Sequence, residues 1–179
     1  NERAQSECAT GQTFVNYWLH NAFITVEGKK MAKSEDNFFT ITDLKNKGYS
    51  PLAYRYLLLG AHYRSPVNFT FTSLSGAEKS WQKINLEFNQ LPDGGEADPT
   101  IVSDFMTAIN DDLNTAKGLA ILHQTLSSDL PPANKKATLT RLDEVLGIID
   151  PNFNLTIETV PEEILSLVQD REVARDRGD

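Results

Sequence analysis

The segment VEGKKMAKSEDNFFT, residues 26–40, carries three lysines within five positions, followed by a serine and two acids. Lys30 and Lys33 lie three residues apart, with the small residues Ala32 and Ser34 beside them. Small side chains let the backbone come close to a ligand, and two ammonium groups could flank a triphosphate. A lysine ammonium about 4 Å from a phosphate oxygen contributes about 4 kcal/mol at an effective dielectric constant of about 20. A phosphate-binding loop is therefore one interpretation of this spacing.

A solvated hairpin tip is the alternative interpretation of this lysine loop, and the residues alone leave both open. Under the phosphate interpretation, the two cations stabilise charge that spreads over a departing pyrophosphate. Ser34, Glu35 and Asp36 could then add hydroxyl contacts or contacts to Mg²⁺-bound water. The loop is not a Walker A sequence, because the spacing Gly-x4-Gly-Lys-Ser/Thr is absent.

Composition and charge restrict the class of protein. The 179 residues are 40% hydrophobic and 23% charged, which is typical of a globular chain. Residues 1–70 hold eight Lys or Arg against six Asp or Glu, whereas residues 71–179 hold nine against nineteen. An acidic second half is a poor general surface for nucleic acid, so any polyanion contact should be local to the first half.

The apolar and cysteine content bear on the compartment. The sequence contains no run of 18 apolar residues, and we predict no membrane span. Cys8 is the only cysteine, so a disulfide framework is impossible and a reducing cytoplasm is expected. We expect Cys8 to be a small buried thiol rather than a metal ligand.

Local signals predict the elements around the lysine loop. Residues 1–10 are expected to end a helix that Gly11 stops. Weak alternation in NAFITVEGKKM, with a turn at Glu27-Gly28, predicts a short hairpin that leads into the loop. Thr40 is the expected N-cap of a short helix. Ser50 is the expected N-cap of the next one, whose apolar residues surround the axis and predict that it is buried.

Beyond Phe71 the pattern is helical throughout. Apolar residues spaced three and four apart mark one face of a long helix, and they are Leu74, Ala77, Trp81, Ile84, Phe88 and Leu91. Three further helices are predicted before a last one that opens at Pro161. The predicted fold class is mainly α: a small α/β region in residues 1–70, and an antiparallel helical bundle in residues 71–179.

Four stretches carry a resemblance to a known family. GKKMAKS resembles the KMSKS signature of class I aminoacyl-tRNA synthetases, with Ala32 in place of a serine. The stretches, in order and spacing, resemble the second half of cysteinyl-tRNA synthetases; they are NERAQSECATG, VNYWLHNAFITVEGKKMAKSEDNFFTITDL, YRYLLLGAHYRSPVNF and FMTAINDDLNTAKGLAIL. The similarity is good over residues 1–126 and loose beyond them.

The resemblance implies a cysteine–tRNA ligase, which activates cysteine with ATP and Mg²⁺ and transfers it to tRNA-Cys. By position, Lys33 is the expected ATP-binding and catalytic residue, Lys30 is the second choice, and Ser34 is a further ATP contact. Residues 1–70 would be the end of the catalytic domain and the stem-contact region that carries the KMSKS-like loop. Residues 71–179 would be a DALR-type bundle on the tRNA-binding side. The resemblance also implies a cytoplasmic monomer.

The family holds a zinc ion that takes the substrate thiolate, and its glutamate ligand maps to Glu2. The histidine ligand would lie just before Asn1, and two cysteine ligands further upstream. The HIGH signature, the first half of the Rossmann domain and the anticodon domain are also absent from these residues. We therefore expect the chain to be a piece of a longer protein and to be inactive alone, with Glu2 an exposed helix acid in isolation.

Two other functions stay open at this point. One is a related ligase that joins cysteine to an amino-sugar; the long helical region and the stretch NFFTITDL favour the tRNA enzyme over it. The other is a non-catalytic helical module that binds tRNA or a protein partner.

The stretch HYRS leaves a similar choice. His62 and Arg64 could face tRNA or the ATP loop, or could simply be cations near a helix C-terminus. Asp111 and Asp112 are most simply acids that flank a helix. The apolar positions around them are expected in the core, namely Phe105, Ile109, Leu113 and Leu119.

Overall fold

The computed structural model describes residues 1–31 and 37–154. Within those ranges it contains seven helices and a three-stranded sheet, which confirms the mainly α fold class. The prediction of a last helix at Pro161 lies outside the described residues. In chain order the elements are α1 (Glu2–Thr10), β1 (Ile24–Val26), β2 (Lys29–Lys30), α2 (Ile41–Asn46), α3 (Pro51–Leu59), β3 (Val67–Phe69), α4 (Phe71–Gln90), α5 (Pro99–Asn110), α6 (Thr115–Leu126) and α7 (Pro132–Leu146).

The sheet has the order β2-β1-β3, and it contains the predicted hairpin. Strand β1 pairs antiparallel with β2 and parallel with β3. Glu27 and Gly28 form the turn with φ values of 51° and 76°, as in the hairpin turns whose twist matches that of the flanking strands. The Asn68 side chain fixes this turn, because its Oδ1 accepts from Gly28 N at 2.8 Å and from Thr25 Oγ1 at 3.1 Å.

Both predicted N-caps after the lysine loop are confirmed. Thr40 Oγ1 accepts from Asp43 N at 3.2 Å, and Asp43 Oδ2 accepts from Thr40 N at 2.7 Å, which completes a capping box on α2. Ser50 Oγ accepts from Leu52 N at 3.2 Å at the start of α3. The expected burial of α3 is wrong for most of its length, because only Ala53 is fully buried.

Two apolar clusters share helices α3 and α4. The smaller cluster lies under the sheet and includes Val26, Phe69 and Leu74. The larger cluster is the core of the bundle; its buried members are Ala53, Trp81, Ile84, Phe88, Phe105, Ile109, Leu119, Leu122, Leu139, Leu142, Leu146 and Ile148. Because α3 and α4 contribute to both clusters, the sheet region is packed directly on the bundle. The division at residue 70 stays a prediction.

Most of the core positions named from the sequence are buried, but Leu113 is 41% exposed. The prediction extended a helical period past the end of α5, whereas Leu113 lies in the turn between α5 and α6. Its φ is 55°, so the residue follows the turn rather than the buried helix face.

A buried asparagine fastens the chain after α7 to α4. Asn85 Nδ2 donates to Trp81 O at 2.9 Å and to Ile148 O at 3.3 Å, and Asn85 Oδ1 accepts from Asp150 N at 2.6 Å.

We expect Asn85→Ala to lower the free energy of unfolding by about 1–3 kcal/mol, because it leaves buried backbone groups unpaired. Urea denaturation measures this. The exposed residue Gln90 on the same helix is the control, and equal losses in Gln90→Ala and Asn85→Ala would contradict the prediction.

Candidate functional site

The lysine hairpin presents its cations to solvent. Lys29 and Lys30 are both exposed on β2, and within the described part of the chain neither is paired with an acid. Lys30 Nζ lies 5.6 Å from the ring centroid of Phe23. Lys33 and Ser34, the other two predicted ATP contacts, lie outside the described residues. The structure therefore places one of the three predicted phosphate ligands, on a strand end that faces solvent.

The base of the lysine loop is fixed at both ends. Asn37 Nδ2 donates to Lys30 O at 3.0 Å. Met31 and Phe39 pack against the cluster under the sheet, and the Phe39 ring centroid lies 5.2 Å from that of Phe71. These contacts determine where the loop leaves and re-enters the fold.

An apolar cleft of about 510 Å³ lies beside the hairpin. The segment 19–24, helix α3 and the α5–α6 turn form its walls. This cleft explains why α3 is only half-buried: one flank of the helix packs on the two cores, and the other lines the cleft. Large apolar side chains of the neighbouring segment are also exposed, among them Tyr17, Leu19 and Phe23. An extended apolar surface of this kind is typical of a ligand or partner contact.

Three consecutive residues after α3 contact one aspartate. Tyr63 Oη donates to Asp112 Oδ1 at 2.7 Å, and Arg64 Nε lies 2.9 Å from Asp112 Oδ2. Arg64 Nε also donates to Tyr63 Oη at 2.9 Å. His62 Nε2 lies 2.9 Å from the Asp112 backbone oxygen. Asp112 lies between two helices, as expected, and it also pairs with Tyr63 and Arg64.

No local sequence pattern predicts this contact, because its partners are about fifty residues apart and belong to different elements. Only a long-range signal linking HYR to NDDLN could have found it. Among the described residues, the partner found for both His62 and Arg64 is Asp112. Contact of either residue with tRNA or with ATP stays a prediction.

Charge and backbone conformation at Asp112 are both unusual. Hydrogen bonds from Tyr63 and Arg64 hold the pKa of the Asp112 carboxyl below its ordinary value, and the same contacts raise the pKa of Arg64. Asp112 is therefore ionised at neutral pH. Its φ is 51°, in the left-handed region that residues other than glycine seldom adopt. The turn is held in an unfavourable conformation that presents the carboxylate to Tyr63 and Arg64.

Glu2 lies in the first turn of α1, and its side chain is 76% exposed. The described residues bring together no group of three or more His, Cys, Asp or Glu that could hold a metal. They do not form a zinc site on their own, and Glu2 would need ligands from outside this chain, where the resemblance puts them.

The expectation that Cys8 is buried is wrong. Cys8 is exposed on α1, and this helix buries none of its residues. A small apolar side chain is buried only where another element covers it, and no element of the described chain covers α1.

Comparison with known proteins identifies both parts of the fold. Residues 1–79 match the family described as tRNA synthetases class I (C) catalytic domain, and residues 104–128 match the DALR domain. Cysteine–tRNA ligase 1 of Burkholderia lata is 39% identical over 180 residues, which cover 100% of this chain and 38% of that protein. The chain belongs to the cysteine–tRNA ligase family.

Other relatives within the cysteine–tRNA ligase family agree. The cysteine–tRNA ligase of Lactococcus lactis subsp. cremoris is 36% identical over 183 residues, covering 100% of this chain and 40% of the relative. That of Caldicellulosiruptor saccharolyticus is 37% identical over 198 residues, covering 98% and 42%. The chain thus spans about two fifths of the length of the curated relatives it matches.

The matched ranges show where the contact at Asp112 lies relative to the two family matches. Tyr63 and Arg64 fall in the catalytic-domain match, whereas Asp112 falls in the DALR match. The contact therefore joins the two matched regions of the chain.

No helix among the described residues is long and apolar enough to cross a membrane.

Proposed function

We propose that the full-length protein is a cysteine–tRNA ligase that forms cysteinyl adenylate from cysteine and ATP and transfers the cysteine to tRNA-Cys. One observation carries this proposal: a class I catalytic-domain match that includes the lysine hairpin stands on the same chain as a DALR match. In this proposal, residues 1–70 supply the loop that stabilises the ATP phosphates, and residues 71–179 dock the tRNA. The protein would act in the cytoplasm as a monomer.

The lysine hairpin supplies the electrostatic part of the proposed mechanism. Lys30, at the end of an anchored strand, and Lys33, three residues on, would surround the ATP phosphates, with Ser34 as a hydroxyl donor. Because the strand end at Lys30 is anchored, this cation would need little reorganisation as charge develops on the leaving pyrophosphate. Preorganised charge of this kind stabilises the transition state more than the ground state. Mg²⁺ would neutralise part of the phosphate charge.

Selection of cysteine is the role proposed for Glu2. Glu2 would be one zinc ligand, and the remaining ligands would come from outside this chain. A zinc ion supplies a direct bond to the substrate thiolate, which serine cannot form as well.

Cysteine-dependent exchange between ATP and labelled pyrophosphate tests the proposal in the full-length protein. We expect exchange with cysteine and far less with serine at the same concentration. The 179-residue chain alone is expected to show none, because it spans two fifths of its relatives. Absence of cysteine-dependent exchange in the full-length protein would contradict the proposal and leave a non-catalytic module.

A cysteine–amino-sugar ligase would also exchange with cysteine, so the acceptor has to be tested separately. We expect tRNA-Cys to accept the cysteine and an amino-sugar acceptor not to. The DALR match and the names of the relatives favour tRNA.

A further inference from the structure

Tyr63 and Arg64, just after α3, bind Asp112 in the α5–α6 turn and so connect two regions of the chain. We propose that Tyr63, Arg64 and Asp112 form a latch that sets the helical bundle relative to the lysine hairpin, and so sets how tRNA is presented to the adenylate. This inference rests on the proposed function. The latch residues act through the orientation of the bundle and are positioning residues.

On one side the latch reaches the base of the hairpin. The Tyr63 backbone oxygen accepts from Ala22 N at 2.8 Å. Ala22 lies two residues before β1, and β1 continues through the Glu27-Gly28 turn into the exposed lysines. Tyr63 therefore contacts the segment that leads into β1 with its backbone, and Asp112 with its side chain. Through Tyr63, the turn that carries Asp112 is connected to the segment before β1.

On the other side the latch holds the helices of the DALR match. Asp112 lies in the turn between α5 and α6. Thr115, the first residue of α6, donates from Oγ1 to the Leu59 backbone oxygen at 2.9 Å. Leu59 is the last residue of α3. The α5–α6 turn and the start of α6 are thus bonded to the end of α3 and to the residues just after it. We infer that these bonds orient α5 and α6 relative to α3.

The Arg64–Asp112 ion pair lies at the protein surface, and this bears on whether it stabilises the fold or orients the turn. The side chains of Arg64 and Asp112 are 65% and 48% exposed, and pairs of this kind add little to the free energy of unfolding. The backbone at Asp112 and Leu113 is nevertheless held in the left-handed region. Because these surface contacts add little to the stability of the fold, we assign them to the orientation of the turn.

The test uses the full-length protein with Asp112→Gly. Glycine adopts a positive φ without strain, so this variant removes the latch contacts and preserves the backbone of the turn. We expect the KM for tRNA-Cys in charging to rise about tenfold, as for mutations that weaken coupling between distant parts of a protein. Cysteine-dependent pyrophosphate exchange should stay within about twofold of wild type, because the lysine loop is untouched.

Three further variants distinguish loss of the latch contacts from a general loss of stability or activity. Tyr63→Phe removes one hydroxyl and leaves the ion pair, so its KM for tRNA-Cys should lie between those of wild type and Asp112→Gly. Asp111→Ala removes the neighbouring charge, which has no side-chain contact in the described structure, and should behave as wild type. Asp112→Asn should not restore normal charging fully, because its amide oxygen can accept hydrogen bonds but carries no negative charge to pair with the Arg64 cation.

The outcomes distinguish the latch from the proposed function. Wild-type protein without cysteine-dependent exchange would mean that the proposed function fails. Wild-type activity combined with an unchanged KM for tRNA-Cys in Asp112→Gly would overturn the latch alone. Equal losses of exchange and charging in that variant, or equal effects of Asp111→Ala and Asp112→Gly, would also overturn it.

Discussion

Lys33→Ala in the full-length protein is expected to lower cysteine-dependent pyrophosphate exchange by about 10²–10³-fold, the usual loss when one preorganised charge-stabilising group is removed. The ammonium is proposed to neutralise the departing pyrophosphate, and the substitution removes it. The affinity for tRNA-Cys should be unchanged, because the bundle is proposed to dock the tRNA. Exchange rates and a filter-binding measurement of tRNA affinity check the two halves of this prediction.

Lys29→Ala is the matched control for this experiment. Lys29 lies on the same hairpin, is exposed, and carries the same charge as Lys33. A general electrostatic effect of the hairpin on ATP would lower exchange in both variants alike, whereas the proposed contact predicts a large loss only in Lys33→Ala. Lys30→Ala should fall between the two. Unchanged exchange in Lys33→Ala would remove the phosphate role from the loop.

The second large effect is expected at the centre of the bundle. Phe105 on α5 is 1% exposed, and its Cε2 lies 3.0 Å from the position that a Cβ on Gly118 of α6 would take. The missing side chain at Gly118 allows the phenyl ring to fill the space between the two helices. Phe105→Ala should lower the free energy of unfolding by about 3–5 kcal/mol, since it removes a buried ring and leaves a cavity.

Urea denaturation measures this effect, and the slope of free energy against urea should be unchanged if only stability is altered. Met106→Ala is the control, because Met106 is the next residue on α5 and is 40% exposed. Its loss should stay below about 1 kcal/mol. Comparable losses in the two variants would mean that the α5–α6 interface is not packed as the structure shows.

Local chemistry accounts for what the sequence predicts well. Thr40 and Ser50 are found at helix starts because their side chains bond to backbone N–H groups two or three residues away. The hairpin turn follows from the conformational freedom of Gly28. Both signals lie within a few residues of the feature that they specify. They therefore do not depend on how distant elements pack.

Long-range packing accounts for what the sequence misses. Asp112 pairs with Arg64 across 48 residues, which no local pattern encodes. Leu113 fits a helical period on paper, but the helix ends before it. The apolar surface of α3 predicts burial, whereas the structure leaves one flank open on a cleft. The roles of Lys33, Ser34 and Glu2 depend on ligands and on chain beyond the described residues, and they stay predictions.

Charging of tRNA-Cys by the full-length protein is the most direct test of the account. With labelled cysteine, ATP and Mg²⁺, we predict an ester-linked, base-labile label on tRNA-Cys and almost none when serine replaces cysteine. A protein that exchanges pyrophosphate with cysteine but leaves tRNA-Cys unlabelled would contradict the account.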